Sequence, residues 1–178
     1  PVTTHSLHWV RDAGFAEAIA RYLQAEREAA LQELQASQQR YAALVEAAPV
    51  GIYYSDAIGR CTFVNDRYCQ LTGLTADTAL GDGWQQGLHP DDLESVTTIW
   101  QSMVQSGQTF QLEYRFQTAE RIVWVYGQAV PERDATGQVV GYIGTITDIS
   151  DRKQAEVALQ QNKDHQGALI SAIPDLIL

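Results

Sequence analysis

The sequence predicts an α+β domain of five strands, with its last three arranged as an antiparallel meander, flanked by long helices and interrupted by short ones. Three observations carry that reading. Across residues 108–117, Phe110, Leu112, Tyr114 and Phe116 alternate with Gln111, Glu113, Arg115 and Gln117, the period of two that marks a strand with one wet face. Two further apolar runs, rich in β-branched and aromatic residues, follow across 122–130 and 139–149, joined by the turn Asp134-Ala135-Thr136-Gly137. Ahead of all this, neither Gly nor Pro interrupts residues 15–48, where apolar residues recur at helical spacing.

In chain order, the first predicted helix begins near Phe15, since residues 1–12 show no period. Phe15, Ile19, Tyr22, Leu23, Leu31, Leu34, Tyr41, Leu44 and Val45 fall three and four apart, the pattern of a coiled coil or a helix bridging domains. Arg27, Gln38 or Ser37 falls on the seam depending on the register, so a weak or switchable dimer is expected rather than a rigid zipper. Pro49 ends this helix by pushing the residue before it out of the α region.

A hairpin follows, with strands at 51–55 and 60–64 and the turn Asp56-Ala57-Ile58-Gly59 between them. Short helices are expected at 66–71, 76–80 and 90–105, closed by Gly73, Gly81 and Gly107. The last has the best-specified start: His89-Pro90-Asp91-Asp92 sets proline in the first turn and two carboxylates at the positive end of the dipole. In the meander, Ile122-Val123-Trp124-Val125-Tyr126 is apolar on both faces and predicts a strand covered on both sides, with the long first helix as the cover. Pro131 is expected to end that strand, and Gly141 and Gly144 leave room for a close neighbour or a bound group. Ser150 or Asp151 would cap an exit helix. The pattern Leu44-Val45-Glu46-Ala47-Ala48-Pro49 returns 125 residues later as Leu169-Ile170-Ser171-Ala172-Ile173-Pro174, and Ile52 matches Ile177 in the same register. This implies the start of a second copy of the domain.

Lys and Arg number 12 against 22 Asp and Glu, for a net charge of −10. Such a chain repels phosphate backbones, and its only lysines, Lys153 and Lys163, form no basic stripe, which argues against nucleic acid as a partner. No apolar run is long enough to span a membrane and no leader is visible, so a cytoplasmic location is expected. Cys61 and Cys69 lack metal-type spacing and read as reduced, packed side chains. No nucleophile, base and orienting group can be assembled from the spacing, so an enzyme is not expected.

Several motifs in order resemble the PAS sensory domain of bacterial signalling proteins. Asn65-Asp66-Arg67-Tyr68-Cys69-Gln70-Leu71-Thr72-Gly73 is similar to the family's first-helix motif, and His89-Pro90-Asp91-Asp92 to the start of its longest helix. Glu113-Tyr114-Arg115, the Trp124 strand, Gly137, Gly144 and Asp148-Ile149-Ser150 resemble its C-terminal half, with Ser150 where the family motif has Thr. The resemblance implies the PAS fold: a five-stranded antiparallel sheet with the short helices over one face enclosing a pocket. It divides the chain into an N-terminal segment and linker helix (1–40), a sensory domain (41–150) and an exit helix leading to a second, truncated repeat (151–178). It further implies neighbouring PAS and output domains, of histidine kinase or diguanylate cyclase type.

On this reading the pocket would be lined by Tyr68, Trp84, Leu88, Val96, Trp100, Tyr114, Phe116, Tyr142 and Gly144. Aromatics at such positions are more often plain core, because they bury large areas whatever their function. A small-molecule ligand remains unidentified. Haem is disfavoured because haem-binding relatives place an axial histidine within the long helix, and none lies in residues 91–105. Flavin is disfavoured because the matching stretch, 79–88, has no cysteine. His5, His8, His89 and His165 read as capping or solvated residues. Asp148, Ile149 and Ser150 are the expected relay into the exit helix, and Leu34, Tyr41, Leu44, Val45, Trp124 and Tyr126 the helix-packing and homodimer positions. The alternative is a ligand-free dimerisation spacer between signalling domains.

Overall fold

In the computed structural model of the chain, the backbone is described for residues 4–172 and the side chains for residues 14–166. The chain divides between Val45 and Glu46 into two units. The first is the helix α1 (Thr4–Glu46), which begins earlier than the sequence pattern indicates and passes through Gly14. One glycine costs a helix only about 1 kcal/mol, which a helix of this length tolerates. The apolar residues of α1 are largely exposed, Phe15 at 69% and Tyr41 at 68% among them.

The second unit is built on one antiparallel sheet. Its strands are β1 (Gly51–Asp56), β2 (Cys61–Val64), β3 (Phe110–Gln117), β4 (Ile122–Arg133) and β5 (Val139–Asp148), in the order β2-β1-β5-β4-β3. The helices α2 (Asp66–Thr72), α3 (Ala76–Ala79) and α4 (Pro90–Ser106), with a 3-10 turn at Gly83–Gly87, connect the hairpin to the meander. The exit helix α5 (Ser150–Ala172) follows β5. Pro174 and Ile177, on which the reading of a second copy depends, lie outside the described residues.

Local chemistry explains why the elements start and stop where they do. Asn65 Oδ1 accepts the Tyr68 N–H at 3.0 Å as the cap of α2, and also the Ile52 N–H at 2.8 Å, so one side chain ties the helix start to β1. His89 Nδ1 accepts the Asp91 N–H at the start of α4, Pro90 fills the first turn, and Gly107 ends the helix in the left-handed region at φ 62°. The core lies between the helices and one sheet face. Tyr68, Leu71, Val96, Trp100 and Met103 come from the helices, and Phe110, Tyr114, Phe116, Val123, Val125, Tyr142 and Ile146 from the strands. Each large side chain buried there contributes roughly 1.5–3 kcal/mol of transfer free energy.

Several expectations need correction. Strand β4 does not stop at Pro131 but runs to Arg133, with Pro131 opposite Tyr142. Its other neighbour, β3, pairs only as far as Ala129, so beyond that point β4 has an open edge where a missing N–H is tolerated. Nor is β4 buried on both faces: Val123, Val125 and Ala129 are buried, whereas Trp124 and Tyr126 are half-buried and Ile122 is exposed. Trp124 is sheltered by two cations instead, Arg115 at 5.3 Å and Lys153 at 5.1 Å from its ring centre. Helix α3 stops at Ala79, one residue early, because Leu80 is extended.

Candidate functional site

A cavity of about 30 Å³ lies between the helices and the sheet. Of the residues expected there, Tyr68, Trp84, Val96, Trp100 and Tyr114 line it. Leu88, Phe116, Tyr142 and Gly144 sit in the surrounding structure. Leu88 bridges to Phe116 across an isolated β contact, and the Tyr142 hydroxyl donates to the Val104 carbonyl at 3.0 Å. Gly144 is needed because the Tyr53 ring crosses it: a Cβ there would lie 2.0 Å from Tyr53 Cζ. The remaining lining comes from residues that the sequence did not place at the pocket, Tyr53, Ser55, Gly59 and Cys61 of the hairpin and Phe110 of β3. The parity of Tyr53 and Ser55 on one strand is the signal that could have found them.

Aromatic edges dominate the walls. Trp100 meets Tyr53, Trp84, Phe110 and Tyr142 at centroid separations of 5.6–6.1 Å, each edge to face. Its indole N–H donates to the Gly59 carbonyl at 3.0 Å, pinning the hairpin turn over the helix. No lining residue carries a formal charge. Burial pushes the Tyr53, Tyr68 and Tyr114 phenols upward and the Cys61 thiol upward as well, so these groups stay neutral. Ser55 is 1% exposed and its hydroxyl has no hydrogen-bond partner. A haem or flavin ring would not enter 30 Å³ unless the aromatic walls moved.

The second feature is the junction between sheet and exit helix. Asp148 Oδ1 accepts the Ser150 N–H at 2.9 Å, and Asp148 pairs with Arg121 at 3.5 Å. Asp148 therefore caps α5, the task expected of Ser150 or Asp151. The Ser150 hydroxyl is turned instead to β4, where it accepts the Trp124 N–H at 3.1 Å, and the Ile149 N–H donates to the Trp124 carbonyl at 2.9 Å. From β3, Glu113 meets Arg152 and Lys153, the latter at 2.6 Å, and these cations hold its carboxyl below the usual range. At the head of α4, Asp92 receives the Arg115 N–H and Nε–H, each at 2.9 Å, and Arg115 holds its carboxyl low. Among the helix-packing positions, Leu34, Tyr41 and Leu44 are exposed on α1 and Val45 is half-buried.

Among the described residues, no group of three or more His, Cys, Asp or Glu side chains could hold a metal ion, and no helix is long and apolar enough to cross a membrane. A helix-covered antiparallel sheet closed over an uncharged aromatic cavity, with a helix leaving its fifth strand, has the architecture of a sensory domain. A family model described as the PAS fold matches residues 39–149, and the chain belongs to the PAS family. It is therefore a sensory module of signal transduction, in a family whose members are generally non-catalytic.

The chain is 30% identical over 145 residues to the uncharacterized protein y4lL of Sinorhizobium fredii, a match covering 81% of this chain and 17% of that protein. It is 31% identical over 142 residues to the peroxide stress-activated histidine kinase mak1 of Schizosaccharomyces pombe, covering 75% of this chain and 9% of the kinase. The chain thus spans only 17% and 9% of the lengths of these curated relatives. A PAS domain from Colwellia psychrerythraea superposes with a TM-score of 0.54 at 23% identity, covering 64% of this chain and 98% of that one, a likeness of fold.

Proposed function

We propose that the domain senses the occupancy of its aromatic cavity and passes the result into α5 through Asp148, Ile149 and Ser150. The observation that carries this reading is the placement of β3. Tyr114 lines the cavity, while the adjacent Glu113, on the other face of the strand, grips Lys153 in the first turn of α5. A shift of β3 is felt at both places. Occupancy biases the junction only to the extent that the ligand prefers one arrangement of it. The module itself performs no chemistry, since its cavity offers neutral phenols and a hydroxyl without a base. It works within a longer protein, a histidine kinase or diguanylate cyclase, paired with a second copy through the exposed apolar residues of α1.

An Asp148→Ala change in the intact signalling protein tests the relay: output uncouples from input while the domain stays folded by circular dichroism. Unchanged signalling sinks the proposal. The small volume of the cavity favours a second reading, a filled and ligand-free spacer that dimerises through α1. Deleting residues 1–40 abolishes self-association on that reading, and an unchanged oligomeric state by light scattering counts against it.

A further inference from the structure

Resting on the sensory reading of the cavity, we infer the class of molecule it takes: uncharged and planar, about the size of a single ring, with one hydroxyl or carbonyl that meets Ser55 Oγ. The charge follows from the walls. No Lys, Arg, His, Asp or Glu lines the cavity, so a carboxylate, phosphate or ammonium group would leave water and find nothing to replace its hydration. C4-dicarboxylates, named for one relative, the transport sensor DctS of Rhodobacter capsulatus, are excluded here on that ground.

The single polar group follows from Ser55. Buried hydroxyls are ordinarily partnered, and this one, 1% exposed and lining the cavity, is the only buried side-chain polar atom without a partner among the described residues. A hydroxyl both donates and accepts, so it matches an alcohol, a phenol or a neutral carbonyl equally.

The planar body follows from the rings and from the space available. About 30 Å³ holds a water-sized polar head and no more. The rest of the ligand needs room that one side chain is placed to yield. Trp84 is half-buried, rides on the 3-10 turn Gly83–Gly87, and meets Trp100 edge-on at 6.1 Å. A flat ligand takes over that edge contact against Trp100 as the Trp84 indole swings outward, and the aromatic packing is exchanged rather than lost.

Phenol, toluene and benzoate, titrated into the 178-residue chain at pH 7 and followed by calorimetry, separate the requirements. Phenol binds and benzoate does not. Trp84→Ala, which opens the space beforehand, tightens phenol by about tenfold or more. In that background Ser55→Ala weakens phenol by roughly fivefold to tenfold, the worth of one hydrogen bond, and leaves toluene unchanged. Benzoate binding as tightly as phenol, or phenol indifferent to Ser55→Ala, overturns the ligand class and leaves the cavity as a sensory pocket. Failure of all three probes to bind a folded Trp84→Ala chain removes the cavity as a ligand site, and the sensory reading with it.

Discussion

Glu113 Oε2 lies 2.6 Å from Lys153 Nζ, so the middle of β3 is fastened to the first turn of the exit helix from the face opposite Tyr114 and the cavity. The Lys153 and Glu113 side chains keep 26% and 35% of their surface in water, and partly solvated pairs of this kind contribute little to global stability. Their worth lies in direction, because they fix where α5 starts relative to the strand. Glu113→Gln is expected to leave the melting temperature nearly unchanged while amide hydrogen exchange across residues 150–156 accelerates. Unaltered exchange there would show that the Asp148 cap alone holds the helix.

Asp92 makes the acid side of the stability curve predictable. Arg115 lowers its folded carboxyl below the ordinary value, so its contribution is complete above the ordinary carboxylate range and disappears as the pH falls through the folded value. Asp92→Asn is expected to cost about 2 kcal/mol at pH 7, the scale of hydrogen bonds to a charged group. The gap between the variant and the parent should narrow in urea titrations as the pH falls below the ordinary carboxylate range. A gap that persists at low pH would mean that packing, not ionisation, is what the substitution disturbs.

Gly144 is held by the ring that crosses it. A methyl group placed 2.0 Å from Tyr53 Cζ forces either the ring or the β1–β5 ladder aside, and Gly144→Ala should destabilise by about 2–3 kcal/mol in urea unfolding. Tyr53→Leu in the same chain should recover part of that loss, since the two changes share one contact. Strictly additive losses would place the clash elsewhere.

Ser55→Ala works in the opposite direction to most core substitutions. It removes a buried hydroxyl with no partner, and a stability gain of about 1 kcal/mol is expected. A loss of that size by chemical denaturation would reveal a partner for the hydroxyl within the folded domain.

The strands were legible because alternation survives in the sequence: Phe110 to Gln117 reads as one wet and one dry face, and so it folds. The helix stops were legible for a similar reason, with Gly73 and Gly107 where a left-handed residue is required. The 3-10 turn at Gly83–Gly87 left no comparable trace, since i to i+3 bonding over one turn imposes no apolar period. The site was half legible. Trp84, Trp100 and Tyr114 announce themselves by size, whereas Ser55, Gly59 and Cys61 reach the cavity only because the β1–β2 hairpin turn is brought to Trp100 of α4, a long-range fact. Pro131 misled because its effect depends on whether a neighbouring strand is present, and β3 ends before reaching it. Ser150 misled because its hydroxyl had two uses, and the competing cap, Asp148, is two residues away.

Gly51 at the beginning of β1 lies opposite Ile146 near the end of β5, and the two strands are neighbours inside the sheet. The polypeptide therefore comes in and goes out through one doorway. A unit wired in this way can be excised, transplanted or copied in tandem without rerouting its host, because the backbone on either side has almost no gap to bridge.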